Sequence, residues 1–375
     1  MSTHSHTLNA GQVRAVIDPA ARKRSVFTAL CIVLPCYLLY AGMVAATIAV
    51  PFEWARPILS VLTGLVSTLL FLQAHDAGHD SLTPHRWLNG LIGRILFLPS
   101  WHPFSGWVHA HNHVHHGWTN FVLRDYAWAP MSKADYDRLP RWRQAMIRLY
   151  RWWPGFGLYY GWEVLFLKSM IPQPEVRSPK QRRVWWFDVA FLIAGTVTLG
   201  AITVALGKVW NVPASPAWLI FWVQIVPFMI AMWLVGFITY LHHTNPQIAW
   251  FKDPEEWSFY CGQVLGTTHT RFPSRISYLI HNIMEHTAHH VDQRIPLYNL
   301  PAAQAALETT YHEDIVDPTF TWRGFFYAQR VCQLYDFENH CWQNYRGERT
   351  SSRTFRAKAA GQPPSETPSA LSASP

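Results

Sequence analysis

Four long apolar stretches alternate with polar connections along this chain of 375 residues. A membrane-spanning helix needs roughly 20 predominantly apolar residues, and each stretch is long enough. They carry almost no charge, the exceptions being Arg56 at the edge of the second stretch and Asp188 in the first turn of the third. The pattern therefore predicts four transmembrane helices, at about residues 26–50, 56–74, 185–206 and 217–241.

The connections predict how these helices are arranged. Residues 51–54 and 207–216 are short linkers, which indicates two helical hairpins. The long connection at 75–184 is rich in Lys and Arg, as are the segments before the first helix and after the last. Lys and Arg are enriched in cytoplasmic loops, so both termini and the long connection are predicted to be cytoplasmic. The predicted fold is an all-α integral membrane protein, in a bacterium of the cytoplasmic or inner membrane, with a cytoplasmic helical cap.

We expect three regions along the chain. Residues 1–25 form a cytoplasmic N-terminal segment, and residues 26–345 form the membrane domain, with cytoplasmic parts at 75–184 and 242–345. The tail, 346–375, is rich in Ser, Pro and Ala, which predicts disorder. Within the long connection, a Trp- and Tyr-rich stretch around 155–167 is too short to span. It is predicted to be an interfacial helix on the cytoplasmic face.

The composition agrees with a membrane protein. Half of the residues are hydrophobic and only 14% are charged, against about 25% in soluble domains. These values exclude a disordered chain. The net charge of +8 is explained by the cytoplasmic loops, so no nucleic-acid partner is predicted. The five cysteines have neither CxxC spacing nor a disulfide framework.

Histidine is the most informative residue type, with 20 copies in the chain. Three boxes and one pair stand out, all on the predicted cytoplasmic side: HxxxH at His75 and His79; HxxxHH at His111, His115 and His116; HxxHH at His286, His289 and His290; and His242-His243 at the end of the last apolar stretch. On a helix, residues three and four apart share a face, which brings the members of each box together. Imidazole is a ligand of iron, zinc, copper and nickel, and a set of about nine imidazoles is enough for two metal ions.

Other residues near the boxes are candidates for an accessory role. His109 and His113 form, with His116, a helical face that competes with that of His111 and His115, and His242 and His281 are neighbours of the boxes. A ligating imidazole usually donates its second N–H to a carboxylate or a carbonyl. The carboxylates close enough in sequence to accept are Asp76, Asp80, Asp125, Glu285 and Asp292.

With these boxes the sequence resembles the membrane fatty-acid desaturase family, over residues 60 to about 310. Flanking stretches look like its acyl-lipid (delta-12/omega-6) branch: Pro103-Phe104 with Trp107, Thr119-Asn120, Tyr240-Leu-His-His243-Thr-Asn-Pro with Trp250, Asp253-Pro-Glu-Glu-Trp257, and Ile295-Pro-Leu-Tyr-Asn-Leu300. The resemblance implies an oxidoreductase that uses O₂ to introduce a C=C bond into the acyl chain of a lipid. It also implies an acyl tunnel near the membrane face.

The resemblance further implies a non-haem centre of two iron ions in the cytoplasmic cap. Its ligands, carried over position by position, are His75, His79, His111, His115, His116, His243, His286, His289 and His290. The chemistry also favours iron, because removing hydrogen from a methylene group requires an oxidant that no side chain supplies. Zinc has no redox chemistry, and copper and nickel are weaker candidates.

Electrons must come from another protein, because the chain has no Gly-rich dinucleotide fingerprint and no fused haem-carrier signature. We expect a ferredoxin-like or haem electron carrier that docks on the basic cytoplasmic face.

Three alternatives remain open. Alkane hydroxylases also use His-Asn-x-x-His-His, so a hydroxylase or ketolase acting on an alkyl chain, a sphingolipid or a carotenoid fits the same scaffold. A metal transporter is disfavoured, since transporters place ionisable residues near the membrane midplane and these spans are almost free of charge. A non-catalytic membrane protein would tolerate loss of the box histidines.

Overall fold

The protein is almost entirely helical in a computed structural model that describes residues 8–355. Within this range, four helices are long and apolar enough to cross a membrane: α1 (Val26–Ala49), α2 (Ala55–Gly78), α3 (Pro179–Val209) and α4 (Pro216–His243). The number of candidate membrane-spanning helices therefore equals the predicted number, as in a membrane protein. Residues 1–7 of the predicted N-terminal segment and residues 356–375 of the predicted tail lie outside the described residues.

Shorter helices fill the connections. They are Ala10–Arg14, Pro19–Arg22, Arg86–Phe97, Leu98–Ser100, Phe104–Val108, His109–His115, Lys133–Asp137, Arg141–Arg151, Trp153–Gly155, Phe156–Leu158, Tyr159–Met170, Phe259–Gln263, Ser274–Leu279, His286–Val291, Leu297–Asn299, Leu300–Tyr311 and Trp322–Val331. The only sheet in the described range pairs Leu334–Asp336 with Cys341–Gln343, antiparallel.

Serine caps start three of the four long helices. The side chains of Ser25, Ser178 and Ser215 each accept a hydrogen bond from a backbone N–H in the first turn of the helix that follows. In α3 and α4 the next residue is proline, whose fixed φ and missing N–H suit the first helical position. Local sequence thus fixes where the membrane helices begin.

Helix α2 lies at the centre of the membrane part and packs against both α1 and α4. Of its most apolar window 61% is buried, against 11% for α3, whose apolar side chains face outward. Gly64 allows the close approach of α2 to α4, since a Cβ there would lie 2.6 Å from Cβ of Ile230. Small residues serve this purpose between membrane helices.

Helices α2 and α4 extend past the apolar stretches and carry histidines at their ends. The last turn of α2 contains His75, and α4 ends at His242 and His243. The N-terminal segment lies on this same side of the molecule. Arg14 Nε donates to the carbonyl of Val291 at 2.7 Å, just after the third box.

The helix predicted around 155–167 is present as Phe156–Leu158 followed by the π-helix Tyr159–Met170. It exposes Trp162 and Phe166 on one side and buries Tyr160 and Leu165 on the other. Both sides of the helix thus carry aromatic or apolar side chains.

Residues 346–355, which the composition assigned to a disordered tail, are packed instead. The N–H of Thr350 donates to the carbonyl of Trp342 at 2.9 Å, and that of Thr354 to the carbonyl of His340 at 2.7 Å. Phe355 is 4% exposed. Pairing with the edge of the small sheet satisfies the backbone of this segment, and composition does not reveal such pairing.

Asp188 in α3 anchors that helix to the rest of the protein. Its buried carboxylate accepts from Arg94 Nε at 2.6 Å and from the N–H of Ser105 at 2.8 Å. We expect Asp188→Ala to lower the free energy of unfolding by about 3 kcal/mol, since breaking a buried pair leaves its partner uncompensated. Thermal denaturation in detergent measures this loss. Arg138→Ala, which removes an exposed ion pair with Asp135, is the control and should cost less than about 1 kcal/mol.

Candidate metal centre

Nine imidazoles from distant parts of the chain converge on two adjoining sites. Within each site, the candidate ligand atoms all lie within 4.8 Å of one another. The first histidine group contains His75, His79, His111, His116 and His289, and the second contains His115, His243, His286 and His290. These are the nine residues that the sequence analysis proposed as ligands. All are buried except His111, which is partly exposed.

Helix geometry explains part of this division. His75 and His79 are four residues apart at the end of α2 and belong to the same group. His286 and His290 are also four apart, on the helix His286–Val291, and belong to the second group. His289 lies between them in sequence, points in another direction and joins the first group.

The second box departs from an α-helix. Residues His109–His115 form a π-helix, in which the N–H of His116 donates to the carbonyl of His111 at 2.9 Å. In a π-helix, bonded residues are five apart rather than four. His111 and His116 therefore meet in the first group, while His115 reaches the second. His111 and His115 are neighbours, with ring centroids 5.2 Å apart, but they belong to different groups.

The distances between nitrogens fit bound metal ions. In the first group, Nε2 of His111 lies 3.1 Å from Nε2 of His75 and 3.1 Å from Nε2 of His116, which is 3.1 Å from Nε2 of His289. A neutral imidazole has one N–H and one acceptor nitrogen, so hydrogen bonds alone do not satisfy such a chain. Nitrogens bound at about 2.1 Å to one metal lie about 3 Å apart when they are adjacent ligands.

The protonation state of these side chains also suits metal binding. Burial, together with the neighbouring imidazoles, lowers the pKa well below the usual histidine value at six of them: His79, His111, His116, His286, His289 and His290. Neutral imidazole is the form that binds a metal. These six side chains therefore favour the ligating, neutral form.

Asp125 orients one ligand of the second group. Its Oδ1 accepts from Nδ1 of His115 at 3.0 Å, and the carboxylate also accepts from the N–H groups of Asn120 and Ala127, both at 2.9 Å. This arrangement directs Nε2 of His115 toward the site, as outer partners of metal-bound histidine commonly do. In the same group, Nδ1 of His243 faces the carbonyl of Gly266 at 3.4 Å.

The other candidate histidines belong to neither group. His242 stacks on His286 with ring centroids 3.5 Å apart. Nε2 of His281 lies 3.0 Å from Nε2 of Gln73. The ring centroids of His109 and His113 are 5.9 Å apart, and neither residue belongs to a group, so of the competing face of the second box only His116 converges.

Of the remaining carboxylates, Asp76 lies beside the first histidine group, with its Oδ1 3.9 Å from Nδ1 of His75, and it also accepts from the N–H of Leu297 at 2.8 Å. The others pair as follows: Asp80 with Arg86 at 3.0 Å, Glu285 with His269 at 3.9 Å, and Asp292 with Arg22 at 2.6 Å and Arg294 at 2.8 Å. Burial by itself raises the pKa of Asp292, but hydrogen bonds from Arg294 and Arg22 bring it below its usual value.

Two residues that sequence analysis missed contact the second group. Gln263 ends the short helix Phe259–Gln263, and its Oε1 lies 2.9 Å from Nδ1 of His290. The hydroxyl of Thr119 lies 3.1 Å from the same nitrogen. Thr119 follows the second box in sequence, but Gln263 is distant from every box, so no local signal indicates it.

An apolar cavity adjoins both histidine groups. Its walls include Trp107, Ala110, Val164 and Ile238, together with five members of the histidine groups: His75, His111, His115, His243 and His286. The structure therefore places an apolar cavity beside the two histidine groups.

Comparisons with known proteins agree with this arrangement. The model of the family "Fatty acid desaturase" matches residues 52–322. The sn-1 oleoyl-lipid 12-desaturase of Picosynechococcus sp. is 32% identical over 334 residues, which cover 86% of this chain and 87% of the relative. The enzyme of the same name from Synechocystis sp. is 31% identical, over 76% of this chain and 78% of the relative. The chloroplastic omega-6 fatty acid desaturase of Glycine max is 31% identical, over 75% and 63% respectively.

Proposed function

This chain belongs to the fatty acid desaturase family and is an oxidoreductase, and we propose that it desaturates an oleoyl chain carried by a membrane lipid. The cyanobacterial relatives are named for that substrate. The observation that carries the proposal is the apolar cavity that ends at both histidine groups. It would hold a methylene chain beside bound metal.

A histidine-ligated metal site is a property of the family, and we propose that the nine residues of the two histidine groups hold two iron ions. Iron bound there would supply, with dioxygen, the oxidising power needed to remove hydrogen from unactivated carbons. The protein's own contribution is to present neutral imidazoles on rigid helix ends and to hold them with partners such as Asp125.

The cavity walls position the substrate. Apolar side chains exclude water from the acyl chain, and the cavity fixes which carbons lie beside the inner histidines. We expect Val164→Trp, which fills part of the cavity, to lower turnover roughly tenfold or more, because the larger ring displaces the acyl chain and even small misplacement of a substrate costs up to about 100-fold in rate. Iron content should stay unchanged.

The control for this prediction is Phe166→Trp. Phe166 lies on the same helix but is 44% exposed, so the larger ring does not enter the cavity. Turnover is measured from the fatty-acid profile of cells that express each variant. Equal turnover of Val164→Trp and the wild type would show that the acyl chain lies elsewhere.

We place both termini and both histidine groups on the cytoplasmic side, with α1–α2 and α3–α4 as two hairpins below a helical cap. The basic connections support this orientation, and Arg14 and Arg22 contact the segment after the third box from the N-terminal side. In sealed vesicles of known orientation, a cysteine introduced at Asn211 should be labelled from the outer side and one at Arg138 should not. The opposite pattern would contradict the orientation.

An external electron carrier completes the reaction. Desaturation with O₂ forms two waters, with two hydrogens from the substrate and two electrons and two protons from outside. We propose a ferredoxin-like or haem carrier that docks where α3 begins, at the exposed cations Arg177, Lys180, Arg182 and Arg183. Salt screens such contacts, so turnover should fall as ionic strength rises. Turnover should also fall in the double variant Arg182→Glu/Arg183→Glu, which reverses two of these charges. Insensitivity to both changes would exclude this docking site.

Expression in a host that lacks the activity tests the function directly. Gas chromatography–mass spectrometry of the lipids should reveal an acyl chain with one new C=C bond. A product that contains oxygen instead would assign the chain to the hydroxylase alternative on the same scaffold.

A further inference from the structure

We propose that Gln263 is a positioning residue that sets the tautomer and ring orientation of His290, and thereby completes the second histidine group. The proposal rests on the metal-binding role proposed above for His290. Gln263 is 1% exposed and lies in a segment without histidine boxes. Its side chain nevertheless contacts the second box through one end of its amide and the third box through the other.

The orientation of the Gln263 amide follows from its partners. One end lies 2.9 Å from the backbone carbonyl of His116. A carbonyl oxygen only accepts hydrogen bonds, so this end must be the NH₂ group. The other end, 2.9 Å from Nδ1 of His290, is therefore the oxygen. Because that oxygen can only accept, Nδ1 of His290 must carry the proton.

This proton assignment determines what the opposite nitrogen of the ring does. A neutral imidazole has a single N–H, so with the proton on Nδ1 the lone pair lies on Nε2. Nε2 of His290 is buried and has no hydrogen-bond partner among residues 8–355, and His290 belongs to the second histidine group. The amide of Gln263 thus holds the ring in the tautomer that a metal ion requires.

Thr119 provides the second acceptor at the same nitrogen. Its hydroxyl lies 2.8 Å from the carbonyl of His115, 3.0 Å from Oε1 of Gln263 and 3.1 Å from Nδ1 of His290. The hydroxyl has only one proton to donate, and both the carbonyl and Oε1 are acceptors. Toward His290 it therefore presents a lone pair, which agrees with a protonated Nδ1.

Gln263 also links the two histidine groups. The rings of His116 and His290 belong to different groups and stack with centroids 4.1 Å apart and planes 16° apart. The side-chain amide of Gln263 contacts both residues: the backbone carbonyl of His116 and the ring of His290. Loss of this amide should therefore affect one ion more than the other, because only the ring of His290 loses its partner.

Iron binding to the purified full-length protein tests the proposal. We compare wild type with Gln263→Met, which has similar volume and no acceptor, by titration with ferrous iron and by Mössbauer spectra of ⁵⁷Fe. The expected result is one ion bound as in the wild type and one bound roughly 10–100-fold more weakly, the usual effect of losing an outer partner of a ligand. One of the two iron signals should shift.

Gln304→Met is the matched control. Gln304 is also buried, and it contacts the third box only through the N–H of Ala288, at 2.8 Å. It should retain both ions with unchanged spectra. Gln263→Glu keeps an acceptor oxygen for the N–H at Nδ1 of His290. This variant should recover the second ion.

Gln263→Met with wild-type affinity for both ions and an unchanged spectrum would overturn the proposal. Equal weakening of both ions, or the same loss in Gln304→Met, would reduce Gln263 to a general structural role and would also overturn it. If Gln263→Met does not fold, Thr119→Val removes the other acceptor and should weaken the same ion. A wild-type protein that binds no iron would instead refute the proposed metal centre itself.

Discussion

His289→Ala and His79→Ala each abolish desaturation, with turnover expected to fall more than about 100-fold, since even outer partners of metal ligands contribute 10–100-fold. Nε2 of His289 lies 3.1 Å from Nε2 of His116, and both variants remove a member of the first histidine group. The iron content should fall from two ions to about one per chain. Lipid analysis measures the activity, and metal analysis of the purified protein measures the iron.

His113→Ala is the matched control. His113 lies in the same π-helix as His111 and His115 but is exposed and belongs to neither histidine group. Its removal should leave both iron and turnover unchanged. Normal turnover of His79→Ala or His289→Ala with two ions bound would refute these ligand assignments, and loss of activity in His113→Ala would show that the division into groups is incorrect.

Asp125→Asn should lower turnover roughly 10–100-fold through its effect on His115. The carboxylate accepts three N–H groups, from His115, Asn120 and Ala127. The amide of asparagine keeps one oxygen and places an NH₂ group against at least one of these donors. At 1% exposure of Asp125, water does not relieve this conflict, and a buried unsatisfied donor costs about 1–3 kcal/mol.

Asp80→Asn separates this effect from a general loss of charge. Asp80 follows the first box in sequence, as Asp125 follows the second, but its carboxylate pairs with the exposed Arg86. Its φ of 57° is one that asparagine also adopts. We expect wild-type turnover for Asp80→Asn. Equal turnover of Asp125→Asn and wild type, with equal iron affinity, would exclude a role for Asp125 in orienting His115.

The sequence by itself determined the membrane helices and the set of histidines that converge. Within a membrane only helices and closed β-barrels satisfy every backbone group, and a continuous apolar run of about 20 residues has the length of a spanning helix rather than of a barrel strand. The third box was interpreted correctly in part, since His286 and His290 do share a group. The excess of histidine at helix ends was sufficient to predict a metal centre without any coordinates.

The tertiary structure decided how the histidines divide and what holds them. Sequence spacing describes an ideal α-helix, whereas the second box is a π-helix and so sends His111 and His115 to different groups. The contact between His289 and His116 joins residues 173 positions apart. Gln263 contacts His290, which lies 27 positions further along the chain. No sequence pattern around Gln263 indicates this contact. Such contacts depend on how separate helices pack against one another. Packing brings together residues that are far apart in the sequence, and their spacing in the sequence does not predict the contact.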